Sequence, residues 1–179
     1  MLSPPENATA GHFDSVYVRE LSRIPDLRPE KERALARRVQ EGDAEARREL
    51  IVSNLRLVLS IARSYTGRGA PLMDIVEEGN LGLIRAVEKF NPDRGFRFST
   101  YASYWIKQAM ARAVANQGRT IRIPFHVYQL VNRYTRLMIR ESEAASGSDL
   151  ELGRRLHCSE RKAHLVRNLV MGILSLDLL

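Results

Sequence analysis

An all-α protein is predicted, and three features of the 179-residue sequence predict it. Apolar residues recur at i, i+3, i+4 and i+7 through most of the chain, the spacing of one helix face. Glycine and proline fall between such runs rather than inside them. Strand-like alternation is nearly absent, and no repeat of fixed period is visible.

The length suits one large domain or two small ones, with enough chain for a sizeable core. Formal net charge is +7 and the pI about 10.0, which favours an anionic partner and leaves nucleic acid and membrane both open. No apolar run approaches the roughly 20 residues needed to span a bilayer, and the N-terminus lacks a signal-peptide core. The single cysteine, Cys158, excludes an internal disulfide and fits a reducing cytosol. Its simplest role is that of a small half-buried side chain.

Taken in order, residues 1–13 mix Pro, Gly, Asn and Thr and are predicted to be a disordered tail. A short helix is predicted over 14–22, ended by Ile24-Pro25, because the residue before proline is pushed out of the α region. Pro29 opens a second helix that runs to about Glu41, with Leu35, Ala36 and Val39 inward and Gly42-Asp43 as the break. The most apolar helix is expected from Ala44 to Tyr65, with Leu50, Ile51, Leu55, Val58, Leu59 and Ala62 on one stripe. Asn54 interrupts it with poor helix propensity, so it either reaches a partner or faces water. Residues 66–71, TGRGAP, form a loop.

The helix predicted from Leu72 to Phe90 has another charge character. Asp74, Glu77, Glu78 and Asn80 gather at one end, beside Leu81, Leu83, Ile84 and Val87. Such a cluster is either a solvated face or an acidic, apolar-edged docking surface for a protein. Asn91-Pro92-Asp93-Arg94-Gly95 then turns the chain into the stretch Phe96–Arg112, FRFSTYASYWIKQAMAR.

At about 100° per residue, Tyr101, Tyr104, Trp105, Gln108 and Arg112 share one stripe of that helix. Ala102, Ile106, Ala109, Met110 and Ala113 form a second stripe turned away from it. The first carries aromatics, an amide and a guanidinium, with Lys107 on its flank; Ser99 or Thr100 is expected to cap the start. Aromatic rings suit unstacked bases, cations suit phosphates and an amide suits a base edge. An amphipathic helix with incidental surface aromatics is the plainer alternative. From Arg94 through Arg140 the chain has no Asp or Glu, while Arg94, Arg97, Lys107, Arg112, Arg119, Arg122, Arg133, Arg136 and Arg140 are present. A merely solvated surface mixes signs, so this block points to a polyanion and, with the aromatics, to nucleic acid over membrane.

Residues 118–124, GRTIRIP, make a break, and Pro124 begins a helix to about Arg140 carrying His126, Tyr128 and Gln129 near its start. Residues 141–149 read as a linker. Two short helices, Asp149–Leu156 and Ser159–Met171, follow around His157-Cys158, a spacing compatible with a helix-turn-helix or with a packing pair. The chain stops at LSLDLL without a capping signal, as a truncated chain would.

Enzyme chemistry finds little footing. His12, His126, His157 and His164 stand apart from any set of ligand spacing. Phosphate-binding loops, dinucleotide fingerprints and nucleophile elbows are absent. A divalent cation on Asp74, Glu77 and Glu78 is the one metal-dependent alternative, and docking fits their apolar neighbours better. No enzyme activity, cofactor or metal is expected.

The runs SNLRLVLSIARSY, DIVEEGNLGLIRAVEKF, GFRFSTYASYWIKQAMARAV and RTIRIPFHV, in that order, closely resemble conserved regions 2 and 3 of bacterial sigma-70 family initiation factors. The resemblance extends over Ser15–Arg47 as region 1.2, Arg48–Asn116 as region 2 and Gln117 onward as region 3. It implies a compact multi-helix promoter-recognition domain over 14–116 and a small three-helix domain over 117–179. No counterpart of the acidic N-terminal region or of the C-terminal domain that reads the −35 element is seen, so a fragment of an alternative, stationary-phase or stress-type factor is expected.

The resemblance also implies roles. Asp74, Glu77, Glu78, Asn80 and Ile84 match the helix that docks on the clamp coiled coil of the largest subunit of core RNA polymerase. Tyr101, with Phe90, Arg94 and Phe96, matches the pocket for a flipped non-template adenine of the −10 element. Asn54, Leu57 and Ser99 match a site near a second flipped base. Tyr104 and Trp105 match the aromatic wedge at the upstream edge of the bubble, with Lys107 and Arg112 on the same DNA-facing helix. Gln108 and Ala111 match positions facing the first −10 base pair. His126 and Gln129, with Arg119 and Arg122, match the upstream and extended −10 contact. Three departures stand out: Tyr104 replaces a usual tryptophan, Ala111 a usual hydroxyl and Gln129 a usual acid. The function implied is promoter recognition and melting by a non-catalytic, cytoplasmic subunit, with promoter DNA, core polymerase and an anti-sigma or other regulatory protein as partners. A stand-alone DNA-binding regulator reading through Asp149–Met171 is the rival class.

Overall fold

The computed structural model describes residues 16–118, 122–140 and 148–171. These are helices and short connections, with no strand among the described residues. The expected N-terminal tail over 1–13, Arg119, most of the linker and the LSLDLL end lie outside the described residues. The chain divides into two units, Met1–Thr120 and Ile121–Leu179.

The first unit opens with α1, whose described part covers 16–22. Helix α2, Pro29–Gln40, has Pro at its first turn, where the missing N–H costs no intrahelical bond. It buries Leu35 and Ala36 and, on the same stripe, Glu32. Gly42, in the left-handed region at φ 90°, leads into Asp43, which caps α3, Ala44–Ser53. Its Oδ1 accepts from the N–H groups of Glu45 and Ala46 at 2.9 and 3.0 Å. The Ala46 bond, then the Arg38 guanidinium, holds the Asp43 carboxyl below its ordinary range.

The single helix expected from Ala44 to Tyr65 is broken at Asn54, and α4 runs Leu55–Ala62 before a 3₁₀ turn, Arg63–Tyr65. Asn54 donates its side-chain amide to the Leu50 carbonyl at 2.8 Å, while its φ of −108° leaves the helical range. An amide side chain that bonds its own backbone offers the chain an alternative to the helix ladder. The break re-aims α4, which buries Val58, Leu59 and Ala62.

Helices α5, Leu72–Lys89, and α6, Phe98–Gln117, form the most extensive pair. Phe98, Ile106 and Met110 are wholly buried in it, each worth about 1.5–3 kcal/mol by burial alone. Close approach depends on Gly82, where an added Cβ would lie 2.8 Å from the Trp105 carbonyl oxygen and 3.0 Å from the Ile106 Cα.

The second unit holds α7, Phe125–Arg140, α8, Asp149–Leu156, and α9, Glu160–Met171. Val131 and Tyr134 of α7 meet Leu152 and Leu156 of α8 and Ala163 and Val166 of α9 in one core. Ser148 caps α8 by accepting from the Glu151 N–H at 3.3 Å. His157 ends α8 in the left-handed conformation, and the Cys158 N–H reaches back to the Gly153 carbonyl at 2.9 Å. Cys158 is a free thiol, half-buried against this core.

Candidate nucleic-acid interface

The start of α6 is held from another helix. Arg97 occupies the N-cap position without any side-chain cap, so the expected cap from Ser99 or Thr100 is not made. Instead the Phe98 N–H donates to Oε1 of Glu32 at 2.7 Å, and Arg97 Nη2 lies 3.2 Å from Oε2 of the same carboxylate. Glu32 is only 4 % exposed. A buried carboxylate at a helix N-terminus, paired with a guanidinium, satisfies an orphan donor and the helix dipole together.

From that anchor the period of α6 sorts its side chains. Ala102, Ile106, Met110 and Ala113 are buried as expected, and Ala109 is half-buried. On the other stripe Tyr104 and Arg112 are exposed, while Tyr101, Trp105 and Gln108 are half-buried. Lys107 is exposed and Ala111 half-buried.

The aromatics form a continuous row. Phe98 meets Phe90 edge-on at 5.1 Å between centroids, Phe90 meets Tyr101 at 5.6 Å, Tyr101 meets Trp105 at 6.3 Å, and Trp105 meets Tyr104 at 6.1 Å. Exposure rises along it, from fully buried Phe98 and Phe90 at 5 % to Tyr104 at 67 %. Phe90 therefore underlies Tyr101. Lys89 stands over the Trp105 ring with Nζ 4.9 Å from its centre, and the Tyr101 hydroxyl donates to the Lys89 carbonyl at 3.4 Å. A ring row anchored at one end and wet at the other is the kind of surface on which an unstacked base can stack. Phe96, 66 % exposed, and Arg94, also exposed, stand at the turn before α6.

A second feature lies at the junction of α3, α4 and the start of α6. Asn54, Leu57 and Ser99 line one recess of about 430 Å³, together with Arg56, Glu32 and Arg97. The helix break at Asn54 and the Glu32 anchor at Phe98 bring these distant residues to one wall. Arg56 fixes the rim by reaching Asp26 Oδ1 at 3.3 Å.

On α5, Asp74 and Glu77 are exposed, Glu78 is half-buried, and none of the three makes an ion pair among the described residues. Leu81, 51 % exposed, follows one turn on, and Ile84 is half-buried. Leu83 and Val87 belong to the core and do not edge this face. Asn80 sits at its margin, with Oδ1 enclosed and unbonded among the described residues. Glu88 is engaged by Arg47 at 2.7 Å. In the second unit Arg122, His126 and Gln129 are exposed, and Arg119 lies outside the described residues.

Glu32, which holds the start of α6, and Lys89, which covers Trp105, were not among the expected residues; Arg97, expected only as part of the acid-free basic run, is the ion-pair partner of Glu32. Glu32 had one legible signal: it falls at i with Leu35 and Ala36 at i+3 and i+4, a carboxylate on an apolar stripe. Among the described residues no group of three or more His, Cys, Asp or Glu is placed to hold a metal ion. No described helix is long and apolar enough to cross a membrane.

Comparison with known proteins gives consistent matches. A family model described as Sigma-70 region 2 matches residues 50–120, and one described as Sigma-70 factor, region 1.2, matches residues 15–45; together they take in more than half of the chain. The RNA polymerase sigma factor RpoS of Coxiella burnetii is 55 % identical over 121 residues, 68 % of this chain and 34 % of that protein. The RNA polymerase sigma factor SigA of Clostridium acetobutylicum is 49 % identical over 136 residues, 76 % of this chain and 36 % of that protein. The SigA of a Bacillus species is 52 % identical over 122 residues, 68 % and 32 % respectively. The chain thus spans about a third of the length of these curated relatives.

Proposed function

The chain belongs to the sigma-70 family of RNA polymerase sigma factors, and we propose that it directs core polymerase to promoters and nucleates their melting at the −10 element. The observation that carries this reading is the ring row Tyr101, Trp105, Tyr104, half-buried at its first two rings and exposed at the third, set on the same unit as the recess of Asn54, Leu57 and Ser99. Two separate places for two unstacked bases are what capture of one strand requires.

In this mechanism Tyr101 stacks a non-template base against a ring already braced by Phe90. Arg94 and Phe96 close on that base from the preceding turn, and the second base enters the recess near Ser99. Trp105 and Tyr104 fill the stack that the first base vacates, while Lys107 and Arg112 take phosphates. Gln108, beside Ala111, faces the first base pair; without a hydroxyl at Ala111 that pair is read less strictly. Stacking is worth roughly 1–3 kcal/mol per base, so two captures offset the few kcal/mol of unstacking each flipped base costs. Opening then needs no nucleotide hydrolysis. Arg119, Arg122, His126 and Gln129 contact the duplex upstream, and Asp74, Glu77, Glu78, Asn80 and Ile84 dock on a basic helical surface, the clamp coiled coil of the polymerase.

The stationary-phase or stress-type class belongs to the same proposal. The relative named RpoS supports it, and the two named SigA match at similar identity, so promoter range decides the class.

The test is 2-aminopurine fluorescence at the upstream −10 bases with holoenzyme assembled on this chain. Tyr101→Ala is expected to abolish the signal rise that Tyr101→Phe retains. Equal opening by both variants would remove the stacking role.

A further inference from the structure

The loop over 66–71, TGRGAP, is absorbed by no role above. It leaves the 3₁₀ turn Arg63–Tyr65 and joins α5 at Pro71, the N-cap of that helix. Between these points it lies against the far end of α6. Gly69, in the left-handed region at φ 90°, meets Gly118, the C-cap of α6, backbone to backbone. A Cβ on Gly69 would fall on the Gly118 carbonyl oxygen and 2.9 Å from its carbon; a Cβ on Gly118 would in turn lie 2.7 Å from the Arg68 carbonyl oxygen. The loop is itself braced: the Tyr65 hydroxyl donates to the Lys107 carbonyl of α6 at 3.4 Å, and Arg68 stands 4.9 Å from the centre of the Tyr65 ring while donating to the Ser64 carbonyl at 3.0 Å.

A helix C-terminus frays because its last carbonyls lack partners. The last turn of α6 has no basic side chain to hold them, and a glycine cap resists unwinding least of all residues. With no side chain on either glycine to keep loop and helix apart, the loop backbone packs directly on that end. Shortly beyond Gly118 the second unit begins, at Ile121. We propose that Gly69 and Gly118 are positioning residues, whose contact fixes the point and direction in which the chain leaves the first unit, so that both units act on one promoter as a linked pair. The proposal rests on the promoter reading of Tyr101 in the first unit and of Arg122, His126 and Gln129 in the second. When two modules share a chain, the second binding step gains from an effective concentration set by the stretch that joins them. A fixed exit narrows what that stretch samples, whereas a frayed end of α6 lengthens it and dilutes the second unit.

The experiment follows 2-aminopurine fluorescence with holoenzyme assembled on this chain, on two promoters that share a −10 element, one of them also carrying the extended −10 bases. The quantity read is the gain in opening that the extra bases give. Gly69→Ala is expected to lower that gain about tenfold, a modest part of the roughly 10²–10⁴ that linkage can supply, while opening on the shorter promoter and circular dichroism stay near wild type. Gly67→Ala is the matched control. Gly67 shares the left-handed backbone at φ 78° in the same loop, yet nothing lies within 4 Å of a Cβ there, so the gain should survive. A merely structural role for Gly69 lowers opening on both promoters alike; that result, an undiminished gain in Gly69→Ala or an equal loss in Gly67→Ala overturns the proposal. Amide exchange at Gly118, whose N–H donates to the Val114 carbonyl at 2.9 Å, tests the wild type without any variant. Strong protection supports a fixed exit, and exchange near the intrinsic rate overturns it. A wild type that opens the shorter promoter but gains nothing from the extra bases overturns the coupling alone, and one that opens neither overturns the promoter reading along with it.

Discussion

The backbone N–H of Phe98 donates to the Glu32 carboxylate at 2.7 Å, across 66 residues of sequence. One buried side chain thus starts the helix that carries the ring row and walls the recess of Ser99. Glu32→Ala is expected to cost about 1–3 kcal/mol by stranding the Phe98 donor, more than an ordinary cap, because Arg97 loses its partner too. Glu32→Gln still accepts from Phe98 and should recover part of the loss. Denaturant unfolding followed by circular dichroism measures both; equal stability of all three chains would deny Glu32 this role.

Gly82 sets the distance between α5 and α6. Gly82→Ala adds a methyl 2.8 Å from the Trp105 carbonyl, a backbone atom that cannot rotate aside. Overpacking of this kind costs about 1–3 kcal/mol, which exceeds the helix-propensity gain of about 1 kcal/mol. A lowered melting temperature with a shifted Trp105 emission is the expected pair of signals.

Trp105 is the only tryptophan in the chain, so intrinsic fluorescence reports the ring row directly. Lys89→Met removes the cation 4.9 Å from its ring, an interaction worth about 0.5–1 kcal/mol at an exposed site. Easier quenching of Trp105 by acrylamide, with little change in overall fold, should follow. A wild-type quenching constant would mean that Lys89 does not restrain the ring.

For the acidic face of α5, Glu77→Lys and Glu78→Lys are expected to weaken retention on immobilised core RNA polymerase, most at low salt. Circular dichroism should be unchanged, since neither side chain makes an ion pair among the described residues. Undiminished retention at low salt would separate this face from polymerase docking.

Acid should loosen the start of α3. The Asp43 carboxyl titrates below its ordinary range in the folded chain, so its contribution is complete above the unfolded value and is lost as pH falls through the folded one. The protection of the Glu45 and Ala46 amides, their exchange compared with the intrinsic rate at the same pH, is expected to fall over that acidic window in the wild type. Asp43→Ala should lack that protection at every pH; a wild-type protection profile as flat as the variant's would deny the cap.

Much of this protein follows from period and composition. Ala102, Ile106, Met110 and Ala113 turn inward and Tyr104 outward because α6 is a regular helix, and a 3.6-residue repeat carries that information locally. The acid-free run from Arg94 to Arg140 is likewise visible without coordinates. Asn54 lay at the limit of such reading: its poor propensity marked an interruption, yet whether the side-chain amide would win the Leu50 carbonyl and break the helix depended on how α4 packs. Glu32 lay beyond it, because a cap lent by another helix leaves no trace in the residues around Phe98. Tertiary packing alone decided that Phe90 lies beneath Tyr101, that Lys89 covers Trp105, and that Asn54, Leu57 and Ser99 share a wall. Helix faces are written in neighbouring residues, whereas these contacts join positions that only the burial of α2, α4, α5 and α6 against one another brings within reach.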